Sequence, residues 1–471
     1  MGLRPLDPDR LRRRCDVASL PFETTAEVEP TEGTIGQPRA LAAISFGLDM
    51  ETPGYNVFAT GPTGTGKRTM IEAHLREHAE RSPTPEDWLY LHNFVDVDQP
   101  IALSLPAGAG RELAARMRRF VEEARHRVPA AFESESYEEK RRALAEEIQQ
   151  RREEALGEIR EFARERDLAL DLTPGGLITV PTIEGRPIPP AEFQRLSEGL
   201  REQVRKRIAE VEERVPAVLR RLRRIERDGG EQLEKLDREV ALFAIGHLVD
   251  ELKEEHGGVA KLDRWFEQVR EDVIERLRHF REQTPESEGL PEPIAAGMRR
   301  VREGLFARYE PNVFISHAED EGAPVVFESN PTFYNLFGRV EYEATFGALS
   351  TDHRHIKAGA LHRANGGYLV LDAVNVLTQP FVWVKLKESL RSRRVEIETV
   401  ASQFASFPAA TLEPESIELD LKVVLVGPPR LHALLCRVDE DIRKLFKVRA
   451  DFAIDMPWEE AAGPYPGFIA A

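Results

Sequence analysis

Cysteine is nearly missing: this chain of 471 residues has two, Cys15 and Cys436. That argues against a disulfide framework and for a reducing cytoplasm as the compartment. A basic excess is missing too. Its 65 lysines and arginines face 82 aspartates and glutamates, for a net charge of −17. Such a balance argues against a general DNA or anionic-membrane surface, although a local basic lining can still exist. The opening stretch, MGLRPLDPDRLRRRC, lacks the apolar segment of a signal peptide. Uninterrupted apolar runs of about 18 residues, as a transmembrane helix requires, are also absent.

Charge itself is plentiful. Charged residues make up 31% of the chain, which points to a long solvated helical segment, and the 41% hydrophobic residues suffice for sizeable cores. Three textures follow one another. Residues 1–108 are mixed, with short apolar runs between glycines and prolines. Residues 109–304 are dominated by Glu, Arg, Lys, Leu and Ala. Residues 305–471 return to an α/β texture.

The middle texture reads as a helical hairpin. Leu144, Ile148, Ala155, Ile159 and Phe162 recur at helical spacing in a first arm. In a second arm Val204, Ile208, Val211, Val215, Val218, Leu222 and Ile225 step by four and three, a heptad seam that needs a partner. LALDLTPGGLITVPTIEGRPI, between the arms, predicts a β-hairpin. Pro216 and Gly229-Gly230 interrupt the seam and predict a bent or segmented rod. The apolar ALFAIGHLV predicts docking onto other structure, and a further amphipathic helix is expected over about 261–283.

The outer textures carry the chemistry. YNVFAT (55–60) reads as a buried strand, followed by Gly61, Pro62, Thr63, Gly64, Thr65, Gly66, Lys67, Arg68 and Thr69, and then by a helix. Strand, glycine loop and helix form the context of a phosphate-binding loop. The glycines let backbone N–H groups turn towards phosphate oxygens, Lys67 can reach the β- and γ-phosphates, and the helix adds its positive end. With WLYLHNF (88–94) as the next strand, the opening reads as a βαβ unit.

Asp372 ends the apolar strand GGYLVLDA, where such a site places the carboxylate of a Mg²⁺ shell. Further strands are expected at VEIETV, LKVVLVG and ADFAID. Three positions depart from a hydrolysing site. Arg68 replaces the hydroxyl that holds Mg²⁺, Ala373 replaces the water-activating glutamate, and Gly427-Pro428-Pro429 offers no polar sensor. The expectation is binding of ATP or ADP with Mg²⁺ placement impaired and hydrolysis weak or lost. Restoring Arg68→Thr with Ala373→Glu is expected to raise turnover. Arg443, Lys447 and Arg449, at a helix–strand junction, are candidates to reach a neighbouring subunit's nucleotide.

The order of these motifs resembles the ATPase-like (AAA+) region of Lon-like proteases. SLPFETTAEVEP with IGQPRAL (35–41), NPTFYNLFGRVEY (330–342), IKAGALHRANGGYLVLDA (356–373) and DREVALFAIGHLVDELKE (237–254) carry the resemblance. It implies that Ile35, Gly36 and Gln37 lie beside the adenine, and that Phe333, Tyr334 and Phe337 can face a ring pore. It implies a homo-oligomer, usually a hexameric ring, that handles unfolded polypeptide. It also implies a C-terminal Ser–Lys peptidase domain in cis, which these residues do not contain, so no catalytic residue is assigned. Neither membrane nor specific nucleic acid is an expected partner.

The expected fold is α/β: a P-loop AAA+ core with a parallel sheet (1–108 and 305–471), interrupted by a coiled-coil insertion with a small β-hairpin (109–304). Three functions compete: a nucleotide-binding gate that delivers polypeptide to a peptidase, an active ATP-driven unfoldase, and a coiled-coil scaffold with a vestigial core. Asp352, His353, His355 and His362 match no metal-site spacing.

Overall fold

The computed structural model describes residues 5–8, 11, 18, 20–30, 36–173, 176–183, 186–281, 304–345, 348–398, 412–455 and 465–470. They form two units, Met1–Met117 with Arg308–Ala471, and Arg118–Ala307.

The first unit is built on a five-stranded sheet of β1 (Val57–Thr60), β2 (Val325–Glu328), β3 (Tyr368–Asp372), β4 (Lys422–Gly427) and β5 (Val448–Asp451), in the order β5-β1-β4-β3-β2. Every neighbouring pair is parallel. Side chains alternate between the two faces. Val57, Ala59, Val370, Val424, Val448 and Ala450 pack with Ile44 of helix Pro38–Asp49 and with Ile71 and Leu75 of helix Lys67–Glu80. Phe58, Leu369, Leu371, Val423 and Leu425 pack on the opposite side with Val376, Leu386 and Leu435. Both faces are covered, which is why these strands read as continuous apolar runs. This is an AAA+ core with a helical insertion.

Two strand expectations need correction. The strand after the phosphate loop, Asp87–Leu91, does not join β1. It pairs antiparallel with Ile101–Leu105 and with Asn312–Ile315 in a separate three-stranded sheet, so the opening is not a βαβ unit. Both hydrogen-bonding edges of β1 are occupied by β4 and β5, from the far end of the chain. Within VEIETV only Val395 is in a strand, Arg394–Val395, which pairs antiparallel with Ile417–Glu418 outside the main sheet. Residues 399 and 400 lie outside the described set.

In the second unit, helix Glu135–Arg164 starts at Ser134, whose hydroxyl accepts the Tyr137 N–H, with Glu135 and Glu138 at its positive end. It lies against helix Glu198–His256. Tyr137 donates to Asp237 (2.7 Å), Arg221 to Glu158 (2.8 Å) and Arg166 to Glu210 (3.0 Å), so one helix rises in number as the other falls. The pair is antiparallel. Ile159, Ala163 and Val211 are buried in one stretch of the seam, with Ala155, Leu156 and Leu222 in the next.

The predicted segmentation does not occur. Glu198–His256 is one helix of 59 residues that runs through Pro216, Gly229 and Gly230. Pro216 is exposed, and the apolar seam stays buried on either side of it. Burial of that seam offsets the cost of the proline, about 3 kcal/mol. Gly229 is a packing choice: a Cβ there would lie 2.5 Å from Ile148 Cδ1. The expected hairpin is present, with Leu168–Thr173 antiparallel to Gly176–Ile183. Ala241, Ala244, Ile245, Leu248 and Val249 are buried, as are Leu262, Trp265 and Phe266 of helix Ala260–Glu275.

Candidate functional site

The loop leaving β1 closes by means of its glycines. Gly64 has φ +87° and Gly66, the N-cap of helix Lys67–Glu80, has φ +69°, the left-handed region that side chains disfavour. Gly61 is needed for space, since a Cβ there would sit 2.8 Å from Phe452 Cβ. The loop is also tied to β5: Thr60 donates to Asp451 Oδ1 at 2.6 Å, and Phe452 N–H to the Thr60 carbonyl at 2.8 Å.

Lys67 is folded back on its own loop, donating to the Gly61 carbonyl at 2.8 Å and to the Pro62 carbonyl. Partial burial lowers its pKa from the usual lysine value. An arriving phosphate would take these two bonds over, exchanging neutral acceptors for charged ones.

The loop opens on a cleft of about 450 Å³ at the C-terminal ends of β1, β2 and β3, where open parallel sheets place ligands. Thr63, Gly64, Gly66, Lys67, Arg68 and Thr69 line one side, and Phe327, Glu328, Ser329, Asp372 and Asn375 another. A larger cavity of about 1300 Å³ lies in the second unit among Glu231, Glu234, Arg238, Glu275 and Arg278. It has neither a glycine loop nor the end of a sheet beside it, so the smaller cleft is the candidate site.

Asp372 faces Lys67 across this cleft, and one of its oxygens is engaged. Oδ1 accepts the N–H groups of Val374 and Asn375, both at 2.9 Å, and so caps helix Ala373–Thr378. Ala373 is 1% exposed, and a Cβ on Gly427 would approach its own Cβ to 3.0 Å. A glutamate at 373 would therefore drive a carboxylate into the core, which argues against a gain in turnover from Arg68→Thr with Ala373→Glu.

Sequence reasoning missed the other acid. Glu328 ends β2, in register with Leu371 of β3, one residue before Asp372. Its Oε1 accepts the Asn330 N–H at 2.9 Å, and its Oε2 lies 3.4 Å from Arg363. The available signal was an acid closing the short run VVFE, with a single serine between it and NPTFYNLF.

These groups do not make a Mg²⁺ site. Where a hydroxyl would hold the ion stands the Arg68 cation, Asp372 Oδ1 is tied to two N–H groups, and Glu328 is paired with Arg363. A hard dication needs an octahedron of oxygens, and a guanidinium beside it is repulsive.

The remaining candidates separate. Ile35 lies outside the described residues. Gly36 has φ +81°. The Gln37 amide pairs with one residue both ways, donating to the Ala453 carbonyl (3.0 Å) and accepting the Ala453 N–H (2.7 Å), so its side chain is a structural tie. Lys447 donates to the Pro53 carbonyl and lies over the Tyr55 ring, and Arg449 pairs with Asp451. Of the three basic candidates, Arg443 alone is exposed without a hydrogen bond or ion pair among the described residues. Phe333 and Phe337 are core residues, 6% and 0% exposed, which corrects the pore reading for both; Tyr334 is 38% exposed.

Known proteins bear on this geometry. Residues 321–453 match the LonB-like AAA domain family, and residues 87–120 match the Lon-like LonC helical domain. A Lon protease homolog of Escherichia coli (strain K12) is 38% identical over 90 residues, 19% of this chain and 15% of that protein. One of Haemophilus influenzae is 32% identical over 84 residues, 18% and 13% respectively. The matched segments thus span less than a sixth of either relative. Two crystal structures of NtrX from Brucella abortus, one in complex with ATP, are 15% and 14% identical. Each covers 44% of this chain, with 54% and 52% of NtrX aligned, but TM-scores of 0.20 and 0.19 carry no structural argument. The LonB-like match takes in β2 to β5 of the sheet whose β1 bears the phosphate loop, and over that part of its length the chain is similar to Lon-like AAA+ proteins.

Proposed function

We propose that this chain holds ATP or ADP between the 61–69 loop and Asp372, and serves as the nucleotide-responsive part of a Lon-like protease. In this reading hydrolysis is weak or lost, and the module gates or delivers unfolded polypeptide to a peptidase domain. The protein works in the cytoplasm as a homo-oligomer, a hexameric ring, with nucleotide sites at subunit borders.

The observation that carries the reading is the combination within one cleft. The phosphate cradle is complete, with two left-handed glycines and a lysine whose ammonium already sits on the loop carbonyls. The hydrolytic parts are not: Ala373 faces the core, and β4 ends at Gly427 before Pro428 and Pro429. Transition-state stabilisation in phosphoryl transfer comes from placed charges and a placed water. A cradle without them binds without turning over.

Glu328 favours a second reading, an active ATP-driven unfoldase, because it brings a carboxylate into the same cleft. Steady-state phosphate release, with and without an unfolded protein, separates the two. The gate reading expects calorimetric binding of ADP that Lys67→Ala weakens, and negligible phosphate release. Release that both Lys67→Ala and Glu328→Gln abolish would establish the unfoldase instead. Absence of any nucleotide binding would defeat both.

A further inference from the structure

We propose that the Arg68 guanidinium takes the place of the divalent cation, so that this chain binds the phosphates of a metal-free nucleoside di- or triphosphate. The inference rests on the nucleotide-binding reading above and specifies the form of the ligand.

Arg68 is the second residue of helix Lys67–Glu80, directly after the phosphate-loop lysine. It lines the same cleft as Lys67, Glu328 and Asp372. Its guanidinium carbon lies 5.6 Å from the centroid of the Phe327 ring. Phe327 is itself packed against the buried cluster under the sheet. A guanidinium laid over an anchored ring is held by its π-face while the edge donors stay available.

Those donors have no partner among the described residues. Among the described residues Arg68 makes no hydrogen bond and no ion pair, although a carboxylate stands next to its ring partner. That carboxylate, Glu328, is paired with Arg363 instead. The cleft thus presents an ammonium and a fork of five N–H groups, in the geometry that suits adjacent phosphate oxygens. Both serve the purpose a metal usually serves here, neutralising the phosphate chain. A dication added to them would meet a fixed positive charge, with Glu328 paired to Arg363 and one oxygen of Asp372 already engaged. No bond is made or broken in this role.

Calorimetric titration of the whole chain with ADP, and with inorganic pyrophosphate, in excess EDTA and in MgCl₂ tests it. The native chain is expected to bind in EDTA at least as tightly as in MgCl₂. Arg68→Thr should weaken binding in EDTA by about tenfold or more, the loss for a charge-assisted contact, and should make MgCl₂ the better buffer. Arg68→Lys, which keeps the charge and loses the fork, should fall between. Arg68 is exposed, and unchanged melting curves establish that the variants fold. Binding by the native chain that EDTA abolishes, or an Arg68→Thr chain that matches it in EDTA, would overturn the proposal while leaving nucleotide binding intact. No heat in either buffer would instead remove the nucleotide reading, and this inference with it.

Discussion

The two units differ in how they are held together. In the second, the two long helices meet along their length, and one repeating seam generates their pairing. In the first, the cleft is assembled from ends of strands scattered from residue 57 to residue 427, whose adjacency no local pattern encodes. A coiled coil tolerates a misplaced proline because the seam on both sides keeps it in register. The cleft has no such redundancy, since one residue at one strand tip decides whether a carboxylate faces ligand or core.

Core truncation should show this difference most strongly. Phe58→Ala empties a fully buried site in β1 and is expected to cost about 3–5 kcal/mol, measured by denaturant unfolding, with nucleotide binding lost alongside. Next in size, Lys67→Ala should lower nucleotide affinity by about 1.5–3 kcal/mol in calorimetry, while circular dichroism stays unchanged. Equal affinity would move the site elsewhere.

Acid should act on the first unit through His362. Full burial holds its pKa down at about 3, from 6.5, so the unfolded chain takes up the proton first as pH falls. Its contribution to stability is complete above about pH 6.5 and declines towards pH 3, by up to about 1.4 kcal/mol per unit. His362→Asn, which can still accept the Gly359 N–H, should flatten the unfolding profile between pH 6 and 4; an unaltered slope would assign it to other groups.

The smallest effect sharpens the contrast from the other unit. Gly230→Ala meets open space on a helix and should stabilise it by about 0.4–1 kcal/mol. Gly229→Ala drives into Ile148 and should destabilise, by about 1–3 kcal/mol. The same sign in both melts would show that the helices do not pair in this register.

Legibility in the sequence follows the same division. Heptad spacing was sufficient for the seam, and the hairpin announced itself by two β-rich runs about a turn. The phosphate loop was legible because its glycines and lysine are neighbours in the chain. Strand order was not, since the pairing of Val57 with Val424 and Val448 is decided by packing of both sheet faces at once. Glu328 escaped notice because a four-residue strand carries almost no periodic signal. Ala373 was read as a lost glutamate, yet only the approach of Gly427 shows that the position faces inward. The aromatics of NPTFYNLF divided for the same reason: on one short helix Phe333 and Phe337 enter the core while Tyr334 stays exposed.

Gln37 and Ala453 stand 416 positions apart and are joined by a pair of amide contacts beside the residues that follow β5. Anyone trimming the polypeptide for crystallisation therefore faces a paired boundary. A start beyond residue 37 or a stop before residue 453 unfastens the same clasp, and either cut should loosen the wall of the cleft even though neither removes a lining side chain.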